Sequence, residues 1–233
     1  MSTIAAAGGA TQPNWFHFVA MCGEEGSRWV EEYRQPECRQ LTGEISRALE
    51  LLRKRQIEAG GDHLRKVADP LRSLTPSCET IGLVLERIYH PVLAYYYYCI
   101  EDYDAAEEAL EAAGSALRRA IQLRRFLLPL VDSFVDLTFQ RARIARNRQR
   151  WVEASNFLRK VDGMIQGELP FCCLSDGTAI DLAGLRHFYS LLPLTEEDRA
   201  MASYVFNGNI LRSVFEKTEA EIYCQIGLLI PYP

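Results

Sequence analysis

Arg143, Arg146 and Arg150 recur at i, i+3 and i+7, so on a helix they share one face. Guanidinium forks in such a row bind carboxylate or phosphate oxygens in pairs. Arg141 and Arg148 fall on a different face. A second group lies in the run Tyr95–Tyr98, four phenols side by side. Successive helical residues turn by about 100°, so four in a row point all the way round and the helix carrying them must be covered on most sides. Tyr97 shares a face with His90 and Leu93, which should pack on a partner helix. Tyr96 joins Val92 and should face a neighbouring unit. Tyr95 and Tyr98 are left to meet a ligand, with apolar ring area and a polar tip.

Signatures of catalysis are missing from the sequence. His17, His63, His90 and His187 show no His-Glu-x-x-His or Glu-x-x-His spacing, so neither a zinc protease nor a di-iron helix pair is indicated. Glu86 and His90, four apart, read as an ordinary helix-face pair. Glu101, Asp102 and Asp104 fall one position short of the carboxylate spacing that holds metal-bound diphosphate. No glycine-rich phosphate loop, nucleophile elbow or dinucleotide fingerprint occurs. Cys99 lies beside tyrosines, and no base is placed next to it. The expectation is no catalytic residue, no metal and no cofactor.

Composition fits a globular protein: 233 residues, 48% hydrophobic and 24% charged. No apolar run is long enough to cross a bilayer, so no membrane association is expected. Residues 1–14 carry no basic residue before a short apolar patch. They read as a disordered lead-in rather than a secretory leader. Seven cysteines at irregular spacing argue for a reducing, cytoplasmic setting. Adjacent Cys172 and Cys173 read as two small buried apolar residues, with a vicinal disulfide or soft-metal site as the alternatives. The net charge of −5 is unevenly spread. Arg118 to Lys160 holds eleven basic and three acidic residues, a local +8 against −13 elsewhere. That asymmetry suggests either matched surfaces within the chain or a site for an anionic partner. Phosphate and base contacts from this run, with Phe139 and Trp151 nearby, would suit nucleic acid, but the negative net charge argues against it.

Helical periodicity dominates the chain. Leu41, Ile45, Ala48, Leu49 and Leu52 mark one helix, expected to end at Gly60–Gly61. Asp62 then caps a second, which Pro70 bends or breaks. A third begins after Pro76 with a kink at Pro91. Further helices are expected over Tyr103 to about Phe126, Pro129 to about Arg148, and Trp151 to about Ile165. Asp176–Gly177, between the short runs Phe171–Leu174 and Thr178–Leu182, predicts a small β-hairpin near 171–182. Helices over about Ala183–Leu192 and Thr195–Phe215 follow. The apolar tail "EIYCQIGLLIPYP" is expected to dock on the body.

An internal repeat is present. One unit reads His90-x2-Leu93-Ala94-x2-Tyr97, then Tyr103, Ala106-x3-Leu110 and Ala113. The second reads Ala142, then Trp151, Ala154-x3-Leu158 and Val161, so the aromatic opening each second helix recurs 48 residues on. Over roughly 85–166 this resembles the tetratricopeptide repeat, whose antiparallel helix pairs pack small residues against large ones. The likeness is partial. His90 stands where that family has tryptophan, Arg141 where it has leucine and Ala145 where it has tyrosine. The closing proline is absent, and the spacing exceeds the family's usual 34 or so residues. Residues 40–74 are expected to hold a further, degenerate pair.

The fold class expected is therefore all-α: antiparallel helical hairpins in a tetratricopeptide-like superhelix, or a generic bundle. One helical domain is expected over 15–233, with a repeat-like core at about 40–166 and the hairpin and last helices in 167–233. The resemblance implies a concave groove, and the shift of 48 sets Tyr95 against Arg143, Tyr98 against Arg146 and Cys99 against Asn147. Tyr95, Tyr98, Phe139, Gln140, Arg143, Arg146, Asn147 and Arg150 are the expected ligand contacts. Some members of the family grip acidic peptide ends with basic and Asn side chains, and Arg143 and Asn147 best match that role. Two alternatives stay open. The arginines pair with Glu107, Glu108 and Glu111 or lie in water; or the chain is an all-α enzyme, or enzyme partner, holding a small anionic substrate.

Overall fold

The computed structural model describes residues 15–73 and 79–200. The expectations for residues 1–14, for the helix start after Pro76 and for everything beyond residue 200 lie outside them. The fold is all-α with one small sheet. In order come α1 (Trp15–Ala20), α2 (Glu24–Tyr33), α3 (Pro36–Arg53), α4 (Ile57–Arg72), α5 (Glu79–Cys99) and α6 (Tyr103–Leu123). A 3-10 segment (Arg125–Asp132) leads into α7 (Ser133–Asn147) and α8 (Trp151–Gln166). Strands β1 (Cys172–Cys173) and β2 (Ala179–Ile180) precede α9 (Leu182–Ser190), and residues 196–200 are again helical. The single helical domain expected over 15–233 is divided by its packing into two compact units: Cys22–Val131, and a second formed by the chain up to Met21 together with the chain from Asp132 onward. No helix among the described residues is long and apolar enough to cross a membrane.

In the first unit α3 packs on α4, α5 on α6, and both α3 and α4 touch α5. The helix boundaries correct one expectation. Gly60 and Gly61 do not end a helix, and Asp62 does not cap one; all three lie inside α4. A methyl on Gly60 would come within 2.8 Å of the Leu52 side chain and 3.3 Å of the Ala48 carbonyl. One on Gly61 would lie 2.8 Å from the Tyr96 ring. At Gly60 α4 comes close to α3, and at Gly61 to Tyr96 of α5. That close packing offsets the roughly 1 kcal/mol each costs in a helix interior. Pro70 is also within α4, two residues from its end, and α5 runs unbroken through Pro91.

Three hairpins turn in the same way. The links 54–56, 100–102 and 148–150 each place the middle residue in the left-handed region, at φ 63 for Arg55, 64 for Glu101 and 59 for Gln149. In each, the next amide reaches back five residues: Gln56 to the Leu51 carbonyl at 3.0 Å, Asp102 to Tyr97 at 3.0 Å and Arg150 to Ala145 at 2.9 Å. This is the helix-ending motif in which a left-handed residue lets orphan carbonyls find donors. Here it occurs without glycine, which is why glycine alone misplaced the first turn.

Side chains follow the same register. Ala48, Ala94 and Ala142 occupy one position on the first helix of each hairpin. Gly60, Ala106 and Ala154 occupy one on the second, and all six are buried. Leu64, Leu110 and Leu158 follow four residues later, with Val67, Ala113 and Val161 after them, again all buried. Small residues let the backbones approach; the leucines fill the space between, each contributing about 2 kcal/mol by burial. The further pair expected over 40–74 is thus α3–α4.

In the second unit, α7 packs on α8. The helix expected from Pro129 begins instead at Ser133, because Pro129 sits in the 3-10 segment. The β-hairpin forms where expected, with Cys172 opposite Ile180 and Cys173 opposite Ala179. Gly177 takes φ 82, and the Thr178 amide donates to Asp176 Oδ1 at 2.9 Å. Thr195 starts the last described helix. Its amide donates to Asp198 Oδ2 at 2.9 Å while the Asp198 amide donates to Thr195 Oγ1 at 3.1 Å, a reciprocal cap.

Candidate functional site

The expected contacts divide between the units. Tyr95 and Tyr98 stand on α5. Their three-residue spacing brings the rings together at 6.2 Å between centroids and 21° between planes, and the Tyr103 ring meets Tyr98 edge-on at 6.0 Å. Tyr95 hydrogen-bonds the Cys99 side chain one turn on, and burial raises the Cys99 pKa. A raised pKa leaves little thiolate, so Cys99 is a poor nucleophile. Tyr96 lies over Gly61 of the preceding hairpin, as its face on α5 implies, and all four tyrosines are half-buried.

Phe139, Gln140, Arg143, Arg146 and Asn147 stand on α7, with Arg150 just beyond. Phe139 corrects an expectation: at 4% exposure its ring belongs to the interior and offers no face to a ligand. Gln140, Arg143 and Arg146 are half-buried; Asn147 and Arg150 are exposed. Arg146 donates from Nε and Nη2 to Asn147 Oδ1, at 3.2 and 3.0 Å. That contact occupies the Asn147 carbonyl oxygen. Arg150 reaches Glu153 Oε2 only at 3.5 Å, and both side chains are well exposed, so this pair contributes little. Arg143 forms no hydrogen bond or ion pair with any described residue.

Part of the charge asymmetry is matched locally. Arg118 pairs with Glu111 at 2.7 Å, Arg124 with Glu25 at 2.6 Å, and Arg119 with Glu79. Glu111, one of the three acids considered as partners for the α7 arginines, is thus engaged by its own helix.

A site that sequence reasoning missed lies between α8 and the β-hairpin. Asn156, Arg159 and Lys160 share one face of α8, and Leu169, Pro170, Phe171, Cys172 and Cys173 form the opposite wall. Together they border an open cavity of about 450 Å³. Gly163 makes this possible, because Leu169 lies against it where a methyl would come within 2.8 Å. Gly167, at φ 80, reverses the chain so that the Glu168 and Leu169 amides donate to the Gly163 carbonyl at 2.8 and 3.0 Å. Cys172 is buried and Cys173 exposed, so only one of the two matches the expected burial. Among the described residues, no group of three or more His, Cys, Asp or Glu gathers as a metal site. The i, i+3, i+4 spacing of Asn156, Arg159 and Lys160 is the one signal the sequence carried for this cavity.

Fold and site thus define an all-α protein of helical hairpins with basic residues on α7 and α8. No protein-family model, curated protein or solved structure matches the chain significantly.

Proposed function

We propose that this chain is a tetratricopeptide-like adaptor of the cytoplasm that binds an acidic segment of another protein or peptide through the α7 face. Gln140, Arg143, Arg146, Asn147 and Arg150 are the contacts. The observation that carries the reading is Arg143: half-buried, one turn before Arg146 on α7, and without an ion-pair partner among the described residues. A guanidinium held in that way binds a carboxylate without first breaking an internal pair. The three matching hairpins and their small-and-leucine register support the family likeness. The irregular, odd cysteine count supports the compartment.

The test is fluorescence anisotropy with dye-labelled hexapeptides rich in Asp and Glu and ending in a free carboxylate. Arg143→Ala combined with Arg146→Ala should weaken binding at least about tenfold, while circular dichroism stays unchanged. Unaltered affinity in a folded double variant refutes the assignment.

A further inference from the structure

We infer that the trough along α8 is a second docking surface, for a protein segment that sets a bulky apolar side chain beside carboxylates. It lies on α8, the turn before it and residues 169–173; only Arg150 is shared with the α7 reading, and the test below rests on Val152, Arg159 and Lys160. Two adjoining depressions make it up. The first is the cavity of about 450 Å³ beside the β-hairpin; the second is lined by Arg150, Trp151, Val152 and Glu153, and both touch Asn156. From Val152 to Arg159 is roughly 10 Å along the helix, the reach of about three extended residues.

Charge and apolar surface point to the occupant. Arg159 and Lys160 are exposed, and neither they nor Asn156 bond any described residue. Two cations and an amide donor on one face call for carboxylates. Beside them is apolar surface that folding leaves in water: Val152, one turn before Asn156, is 70% exposed and Leu169 42%. An acidic segment with one large apolar side chain satisfies both, its side chain against Leu169 and Pro170 and its carboxylates on Arg159 and Lys160. A free small molecule fits less well, because ligand sites cover most of their ligand, whereas this cavity is open along one side. An open trough suits an anchor whose main chain continues beyond it.

The probe is a dye-labelled octapeptide of alternating Glu and Leu, followed by anisotropy on the full chain. Two control peptides replace Glu by Gln or Leu by Ser. Arg159→Glu with Lys160→Glu should weaken the Glu/Leu peptide at least tenfold, and Val152→Ser several-fold. These side chains are exposed, so thermal melts should not move. Both control peptides should bind at least tenfold more weakly than the parent. Each of these results would overturn the inference: charge reversal without effect, equal binding of either control peptide, or loss in the Arg143→Ala, Arg146→Ala protein alone. The last would put the peptide on α7 and leave the proposed function standing. If instead sedimentation shows a dimer that charge reversal abolishes, the trough belongs to a second copy and the inference falls.

Discussion

Replacing Gly60 by alanine tests whether close helix approach, rather than local preference, governs the first hairpin. Gly43 in α3 supplies the reference: it is exposed, and a methyl placed there would meet nothing within 4 Å. Gly43→Ala should therefore show the bare helix-propensity gain, about 1 kcal/mol of added stability. Gly60→Ala has the same gain available but drives a methyl to 2.8 Å from two atoms of Leu52 and 3.3 Å from a backbone carbonyl. Leu52 is fully buried and cannot swing away. Overpacking of that kind costs about 1–3 kcal/mol, so the net change is a loss of up to about 2 kcal/mol. The equivalent Ala106 and Ala154 are accommodated in their own hairpins, which keeps the expected cost at the modest end. Urea denaturation of both variants beside wild type measures the difference, expected at about 1–3 kcal/mol between the two alanines. Equal stabilisation by both would refute the close approach of α4 to α3.

Two further outcomes follow from single residues. His90 is half-buried, its Nδ1 has no hydrogen-bond partner among the described residues, and desolvation lowers its pKa from 6.5. The unfolded chain then binds the proton more readily. The stability His90 supports is complete above about pH 6.5 and is lost as pH falls towards the lowered value; in melts from pH 7.5 to 5.5, His90→Phe should decline less than wild type, and parallel curves would exclude this role. At Gln149, φ 59 strains a side chain where glycine is at ease, so Gln149→Gly should raise stability by up to about 1 kcal/mol. A thermal melt in which this variant loses stability would show that the left-handed turn is not the strained element.

Local sequence carried the helical class and several boundaries. Tyr103 and Trp151 open α6 and α8 as the repeat implies, and Asp176–Gly177 makes its hairpin, because a turn or a periodic face is specified by neighbours in the chain. The shared row held only for Arg143 and Arg146: Arg150, expected on the same face, lies beyond the left-handed turn at Gln149, because α7 stops at Asn147. What failed was inference from one residue type. Gly60–Gly61 read as a stop, yet sits inside α4 because contacts with Leu52 and Tyr96, eight and thirty-five positions away, favour a residue with no side chain there. Phe139 read as a groove wall, yet is buried, because which side of α7 faces inward depends on the helices around it.

The α8 trough, apart from the shared face of Asn156, Arg159 and Lys160, belongs to tertiary structure. Its cations come from residues 156–160 and its apolar wall from 169–173, two stretches with different periodicities and no shared motif. They meet because Gly167 turns the chain back and Gly163 leaves room for Leu169. Sequence fixes a residue's chemistry and its place on its own helix; whether its charge is paired and which surface lies opposite are set by long-range packing, which local spacing does not encode.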